Sequence, residues 1–449
     1  VGKLQSKFQY QGRWWLPSEP DNHIEGTLYF SPDDGALLEL SGSFNGDGID
    51  LLQPEVIFGI TNNGTKITLG NTIQTEISHG ALVSSKFIAN YVFEGGFIES
   101  LSGKQFTAVM AKYTHLDEWV CSNGFEIDLP VGEKEIRYQI RYKKPKIRKI
   151  YDCNDFSIFI DYSVKFPKLQ VIQTSVSASH EAHIKIVPTD SKSISEVAKL
   201  VWSLEGFLSL AVIEPVFVTE LAVKTAHGWA SVYYQSMFSP IASKRVRPVE
   251  MLFTYPRVKG RIHTLLRNWF DKGDRLSPCT NLYFSTIKNE SLYLENEFLN
   301  LVQALESYHR RFKKNTTTDP ATHRKKVAKI LDSIPKREKD WLAPRLQYSN
   351  EPSLAARLRD IMKTYSEVTS VAISDPRFVR RVTDTRNYLT HYSENLATRA
   401  AKGDSLFKLA QGIRLLFELC LLAEIGFRKP ELIKLITENR RYRRKYDLV

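Results

Sequence analysis

Cysteine is scarce in this chain: four residues, at positions 121, 153, 279 and 420, with no CxxC pair among them. That spacing excludes zinc ribbons and thioredoxin-type redox motifs, and reads as reduced thiols in a cytosolic protein. Long apolar runs are lacking too. The nearest approach, Leu415 to Ala423, is flanked and broken by Arg414, Glu418 and Glu424, so no segment suits a bilayer crossing. The first residues carry no charged-then-apolar signal pattern. The expected location is the cytoplasm, without a membrane partner. A Walker-type glycine-rich loop is missing, which removes the usual route to NTP hydrolysis. No internal repeat or low-complexity tract is found.

Two stretches come near a metal motif and fall short. His180-Glu181-Ala182-His183 is one residue short of HExxH. It also lies in a strand-like stretch, where positions i and i+3 point to opposite faces. Asn45–Asp50 has carboxylates and glycines but not the rest of a calcium loop, and reads as a turn. Neither a metal nor another cofactor is expected.

What is present belongs to a globular protein: 42% apolar and 25% charged residues over a length of 449, enough for two or three domains. The net charge of +12 is unevenly placed. Residues 1–140 hold 9 Lys/Arg against 18 Asp/Glu, a net of −9, and residues 141–449 hold 53 against 32, a net of +21. A basic region of that size favours a polyanion such as nucleic acid, or else serves solubility alone.

The hydrophobic period changes along the chain. Short alternating or β-branched runs predict strands at Ile24–Phe30, Ala36–Leu40, Thr65–Leu69, Phe87–Phe93, Phe106–Tyr113, Ile136–Tyr142, Phe156–Val164 and Leu169–Val176. Turn signals such as Asn62-Asn63-Gly64 separate several of them. A helix is expected at Ser193–Ala211, then strands at Val216–Val223 and Trp229–Tyr234. Adjacent Trp14 and Trp15, if in a strand, point one inward and one outward, and the outward one is expected to pack against a neighbouring segment rather than to bind a ligand. After about Tyr255 the period is 3.6. Helices are expected at Val258–Phe270, along the stripe Leu294 to Phe312, at Ala321–Ser333, Ser353–Tyr365, Pro376–His391 and Ser405–Phe427, with a basic one after Pro430; Asp274–Thr280, with Pro278, reads as a linker. The fold class is therefore multidomain α+β: a β-rich antiparallel part over 1–255, a helix and linker over 256–280, and an all-α bundle over 281–449.

One local sequence carries chemistry. Ser374-Asp375-Pro376 offers a helix cap and a first-turn proline, with Val379, Val382 and Leu389 placed to face the bundle. The same helix then runs through Arg386-Asn387-Tyr388-Leu389-Thr390-His391. Asn387 and His391, four apart, share a face, with Arg386 beside Asn387. Arg386 and His391 are five apart, which an α-helix separates by about 140°. They meet at one phosphate only through distortion, long reach or a groove shared with a second protomer.

Arg386-Asn-Tyr-Leu-Thr-His391 resembles the Arg-x4–6-His signature of HEPN ribonucleases, including the polar residue after the arginine. Gln303-Ala-Leu-Glu306-Ser-Tyr-His309-Arg-Arg311 resembles the first long helix of the ApeA-like HEPN branch. Gly12-Arg-Trp-Trp-Leu-Pro17 and Gly26-Thr-Leu-Tyr-Phe30 resemble the ApeA N-terminal domain. The resemblance implies a metal-independent, dimeric endoribonuclease of anti-phage defence, acting on an RNA such as a tRNA or mRNA. The β-rich part is then expected to sense a phage-derived trigger, to restrain the helical part or to position its substrate.

The residue types suit that chemistry. A histidine near neutrality serves as general acid or base, here His391. Arg386 stays charged and grips phosphate oxygens, and Asn387 orients. Without the resemblance, the preferred reading is that His391 is a helix C-terminal residue favoured by the dipole and Arg386 a surface charge. Glu306 and His309, three apart on one face, either support the site or form an ordinary surface pair. Arg440, Arg441, Arg443, Arg444 and Lys445, interleaved with Tyr442, either follow an RNA backbone or form a solvated helix end. The competing function is a non-catalytic dimeric binding protein whose β-rich part recognises a glycan, protein or phage component.

Overall fold

The computed structural model describes residues 2–46, 48, 50–79, 83–128, 139–166, 175–236, 245–289 and 291–445. It divides into two compact units, Val1–Leu266 and Arg267–Val449.

The first unit is built on strands β1 (Phe8–Trp15), β2 (Ile24–Ser31), β3 (Gly35–Leu40), β4 (Val56–Thr61), β5 (Lys66–His79) and β6 (Val83–Glu94). They pair antiparallel in the order β6-β3-β2-β1-β4-β5, and β5 pairs again with β6, so this part of the sheet closes into a barrel. Alternation fills it: Ile24, Leu28 and Phe30 of β2 are buried and Glu25 and Tyr29 are not. Closure removes the free edges that such strands would otherwise present. β6 is shared. Where β3 ends, the other strands take over in the order β14-β13-β7-β12-β11-β10, namely β7 (Ala108–Tyr113), β10 (Arg148–Asp152), β11 (Phe156–Lys165), β12 (Ser179–Pro188), β13 (Val218–Thr225) and β14 (Gly228–Tyr234). β8 (Phe125–Asp128) and β9 (Gln139–Tyr142) form a separate hairpin.

Helix α1 (Leu116–Val120) is a single turn. Helix α2 (Ile194–Val212) opens with a capping box, Ser193 and Glu196 each accepting the other's backbone N–H. Its buried Val197, Val201, Leu204 and Leu208 form a stripe, and Tyr113 on β7 donates its hydroxyl to Val201 O at 3.0 Å.

Trp14 and Trp15 lie on opposite faces of β1 and both are buried, the outer one by packing against neighbouring segments as expected. Trp14 Nε1 donates to Gly26 O at 3.2 Å, while Trp15, on the other face, is covered by His23, Phe58 and Phe97. The helix expected at Val258–Phe270 is broken into α3 (Tyr255–Val258) and α4 (Ile262–Asp271) by a turn containing Gly260. The linker expected at Asp274–Thr280 is instead part of helix α5 (Gly273–Lys288), despite Pro278. Leu276, Cys279, Thr280 and Tyr283 are buried at helical spacing, and that burial outweighs the ~3 kcal/mol a helical proline costs. The strand expected at Leu169–Val176 lies outside the described residues from Leu169 to Thr174, as do Ile136 to Tyr138 and, in the Asn45–Asp50 turn, Asp47 and Ile49.

The second unit continues with α6 (Leu294–Phe312), α7 (Pro320–Asp332), α8 (Lys336–Leu346), α9 (Leu354–Thr364), α10 (Ser366–Ala372), α11 (Phe378–His391), α12 (Gly403–Ile425), α13 (Lys429–Glu438) and α14 (Arg440–Lys445). α12 is buried on almost every side, as its apolar sequence demands, and packs against α6, α11 and α13. A Cβ on Gly412 would lie 2.6 Å from the Phe378 ring, so glycine there admits α11 close to α12. Gly426, at φ 114°, ends α12 in the left-handed region. Inside, Glu418 is fully buried and accepts from the hydroxyls of Tyr283 (2.7 Å) and Tyr442.

Candidate active site

α11 carries the motif, and its entry differs from expectation. The helix begins at Phe378, so Ser374 and Asp375 are not its cap and Pro376 precedes it. Asp375 still organises the turn: Oδ1 accepts the Arg377 N–H at 2.8 Å and Oδ2 takes Arg381 at 2.8 Å. The buried stripe is Phe378, Val382 and Thr385, with Val379 and Leu389 only half-buried. Thr385 Oγ1 accepts the Ala401 N–H at 2.9 Å, tying the loop after α11 to its inner face.

With that stripe inward, the motif faces outward. At 100° per residue, Asn387 and His391 project away from Val382, and Arg386 and Tyr388 lie on opposite flanks of Asn387. Arg386 is half-buried. It donates to Asn387 Oδ1 at 3.1 Å and to Glu306 Oε2 on α6 at 3.3 Å. Two of five guanidinium N–H groups are thereby used, leaving three for an anion. His391 is the last residue of α11 and is exposed. Among the described residues its ring has no hydrogen-bond or ion-pair partner, so both ring nitrogens are open to a ligand. Tyr392 ends the helix in the left-handed conformation, φ 51°, with its N–H donated to Tyr388 O at 2.6 Å.

The structure thus brings Glu306 to Arg386, and places His309 in a different network. His309 is 3% exposed. Its Nδ1 accepts from Arg357 at 3.1 Å and its Nε2 faces Asp360 Oδ2 at 3.0 Å, both partners being on α9. Because an arginine only donates, Nδ1 carries no proton and Nε2–H is the donor to Asp360. Burial first, and the adjacent Arg357 cation next, push the His309 pKa below its ordinary 6.5 despite Asp360. Arg357, also 3% exposed, donates to Glu351 Oε2 at 3.2 Å, which Arg310 shares at 2.7 Å. Burial chiefly, and then Arg310, lower the Arg357 pKa, while Glu351 and Glu306 oppose this.

Arg357 and Asp360 escaped the sequence reading. The signal was available: Leu354, Arg357, Leu358 and Ile361 make an apolar helical stripe with a cation inside it. A charge at a core position has to be paired.

The basic tail is α14, packed on α13 and anchored by buried Tyr442 to Glu418 of α12. Arg440, Arg443 and Arg444 are exposed and Arg441 is half-buried, while the Lys445 side chain lies outside the described residues. Among the described residues there is no group of three or more His, Cys, Asp or Glu that could hold a metal ion, and no helix long and apolar enough to cross a membrane.

Comparison with known families places this geometry. Residues 299–431, which include Glu306, Arg357 and the α11 motif, match the family described as Apea-like HEPN, so the helical unit is of the HEPN class. Residues 9–269, more than half of the chain, match ApeA N-terminal domain 1. The chain belongs to the ApeA-like HEPN family. No curated protein and no solved structure matches it.

Proposed function

We propose that this protein is an endoribonuclease of the HEPN type, acting as an abortive-infection effector against phage. The observation that carries the reading is the outward placement of Asn387 and His391 beside Arg386 in a helical unit of HEPN class. In the reaction, a ribose 2′-oxygen attacks the adjacent phosphorus and the P–O5′ bond breaks, leaving a 2′,3′-cyclic phosphate and a 5′-OH. One proton leaves the 2′-OH and one arrives at O5′. His391 serves these transfers, Arg386 holds the phosphoryl oxygens as their charge grows, and Asn387 aligns the guanidinium. Glu306 restricts Arg386 to one side of the helix. The β-rich unit is the place for a phage-derived trigger or for restraint of the nuclease, and tRNA and mRNA are the RNA classes to test first.

Purified protein is expected to cut RNA equally with and without EDTA and to leave cyclic-phosphate ends, because histidine and arginine supply the proton transfers and the charge. End-group analysis checks this; strict Mg²⁺ dependence with 5′-phosphate products would mean a different chemistry.

One histidine per chain serves two proton transfers poorly, and the five-residue spacing separates Arg386 from His391 around the helix. Two copies related by a two-fold axis, α11 facing α11, would make one cleft from two half-sites. Mixed dimers of wild type with His391→Ala are expected to lose well over half of the activity. Retention of half would assign each chain an independent site, and full activity in a monomer would end the composite idea.

A further inference from the structure

The flank of α11 opposite Arg386 opens on a cavity of about 420 Å³, within the range of small-ligand sites. Tyr293, Glu295 and Asn296 from the start of α6, Tyr388 and Tyr392 from the end of α11, and Lys402 before α12 line it. We propose that this cavity is a base-binding subsite, taking one unstacked nucleobase of single-stranded RNA with Lys402 against its phosphate. The proposal rests on the reading of α11 as an RNA-cutting helix and names how that helix selects its substrate.

Four features point to a base. Tyr293 and Tyr392 are 77% and 68% exposed, large rings left mostly uncovered among the described residues. Tyr388 and Tyr392 meet edge to face, centroids 5.4 Å apart at 62°, and with Lys402 over the Tyr388 ring it is the exposed Tyr392 that offers a face for stacking. Lys402 makes no ion pair among the described residues; its Nζ lies 5.8 Å from the Tyr388 centroid, at the cavity and free to meet an anion. Glu295 and Asn296 add an acceptor and an amide for a base edge.

The backbone supports the same reading. Tyr392 holds a left-handed φ of 51°, a conformation that glycine takes freely and a bulky residue takes at a cost. What tyrosine adds there is a ring, directly beyond His391. A strand whose scissile phosphate lies over His391 reaches the tyrosines of the same chain with its next base. Stacking on aromatic rings tolerates any base, while the Glu295 and Asn296 edge groups introduce a preference.

The test uses the full chain carrying His391→Ala, so that RNA stays intact, with a fluorescent mixed-sequence oligoribonucleotide as probe. Adding Tyr392→Gly removes the ring and relieves the backbone, so the fold is not at risk. Binding is expected to weaken roughly tenfold, and Tyr392→Phe is expected to restore it. Unchanged binding with Tyr392→Gly overturns the subsite. So does a loss of binding that only follows a loss of dimer in sedimentation, since the cavity is then covered by a second copy. In the otherwise wild-type chain, Tyr392→Gly should raise KM and redistribute the cut positions with a smaller change in kcat; an unaltered cut pattern counts against the subsite and leaves the nuclease standing. A wild-type chain that cuts no RNA defeats the nuclease reading, and the oligonucleotide titration still decides the cavity.

Discussion

His391→Ala and Arg386→Ala should each slow RNA cleavage by at least ~100-fold, the loss expected for an acid–base group or a charge-stabilising donor. The folded state should barely register either change. His391 is exposed at a helix C-terminus, where its favourable dipole interaction is worth about 0.3–1 kcal/mol. Arg386 pairs with Glu306 at 3.3 Å, with side chains 35% and 27% exposed, and such a partly solvated pair contributes about 0–1 kcal/mol. Cleavage rates measured beside melting curves separate chemistry from folding. Arg386→Lys tests the guanidinium itself: an ammonium keeps the charge but, with three donors on one nitrogen, cannot keep Asn387 and Glu306 and still grip two phosphate oxygens, so most of the activity should still be lost. Near-wild-type cutting by either alanine variant, with contaminating nuclease excluded, removes the motif from the mechanism.

Helices were legible where local chemistry decides. Ser193, Asp319 and Ser353 cap α2, α7 and α9, as side chains of their type do. Apolar residues on almost every side of α12 announced a helix at the centre of the bundle. Long-range pairing was not legible. Nothing local in Thr65–Leu69 says that the strand extends to His79 and pairs on both sides, with β4 and β6, to close a barrel. β4 itself, Val56-Ile-Phe-Gly-Ile-Thr61, lacks the alternation that marks a half-buried strand, since all but Ile60 are buried. Pro278 misled for the converse reason: a local breaker yielded to the burial of Tyr283 and Cys279. At the site, the spacing of Arg386, Asn387 and His391 defined a shared helix, and a shared face for Asn387 and His391 with Arg386 on its flank. The α9 partners of His309 come from 48 and 51 residues away, a juxtaposition that only the fold supplies.

That juxtaposition sets up the second large effect. Arg357→Met keeps the apolar stem of the side chain and removes the cation between His309 and Glu351. Breaking a buried charged network typically costs 3–5 kcal/mol. Glu351 keeps Arg310, so a loss of about 3 kcal/mol is expected, a fall in Tm of roughly 6–12 °C for a unit of this size. The pH dependence should change with it. In the wild type His309 is held neutral, its pKa lowered by burial and then by Arg357. Its contribution is complete above the unfolded value near 6.5; as pH falls below that, the unfolded chain binds a proton that the folded one refuses, and stability is lost until the folded pKa is reached. With methionine at 357, Nδ1 no longer faces a cation and Asp360 still accepts from Nε2, so the folded pKa rises and the acid-side loss shrinks. Melting curves from pH 8 to pH 5 and an NMR titration of the His309 ring measure both arms. A variant as stable as wild type, or one whose His309 titrates no higher, would mean that Arg357 does not hold this histidine. Glu306 opposes the lowering of the Arg357 pKa and pairs with Arg386, so the same substitution should also slow cleavage, by less than the loss of Arg386 itself.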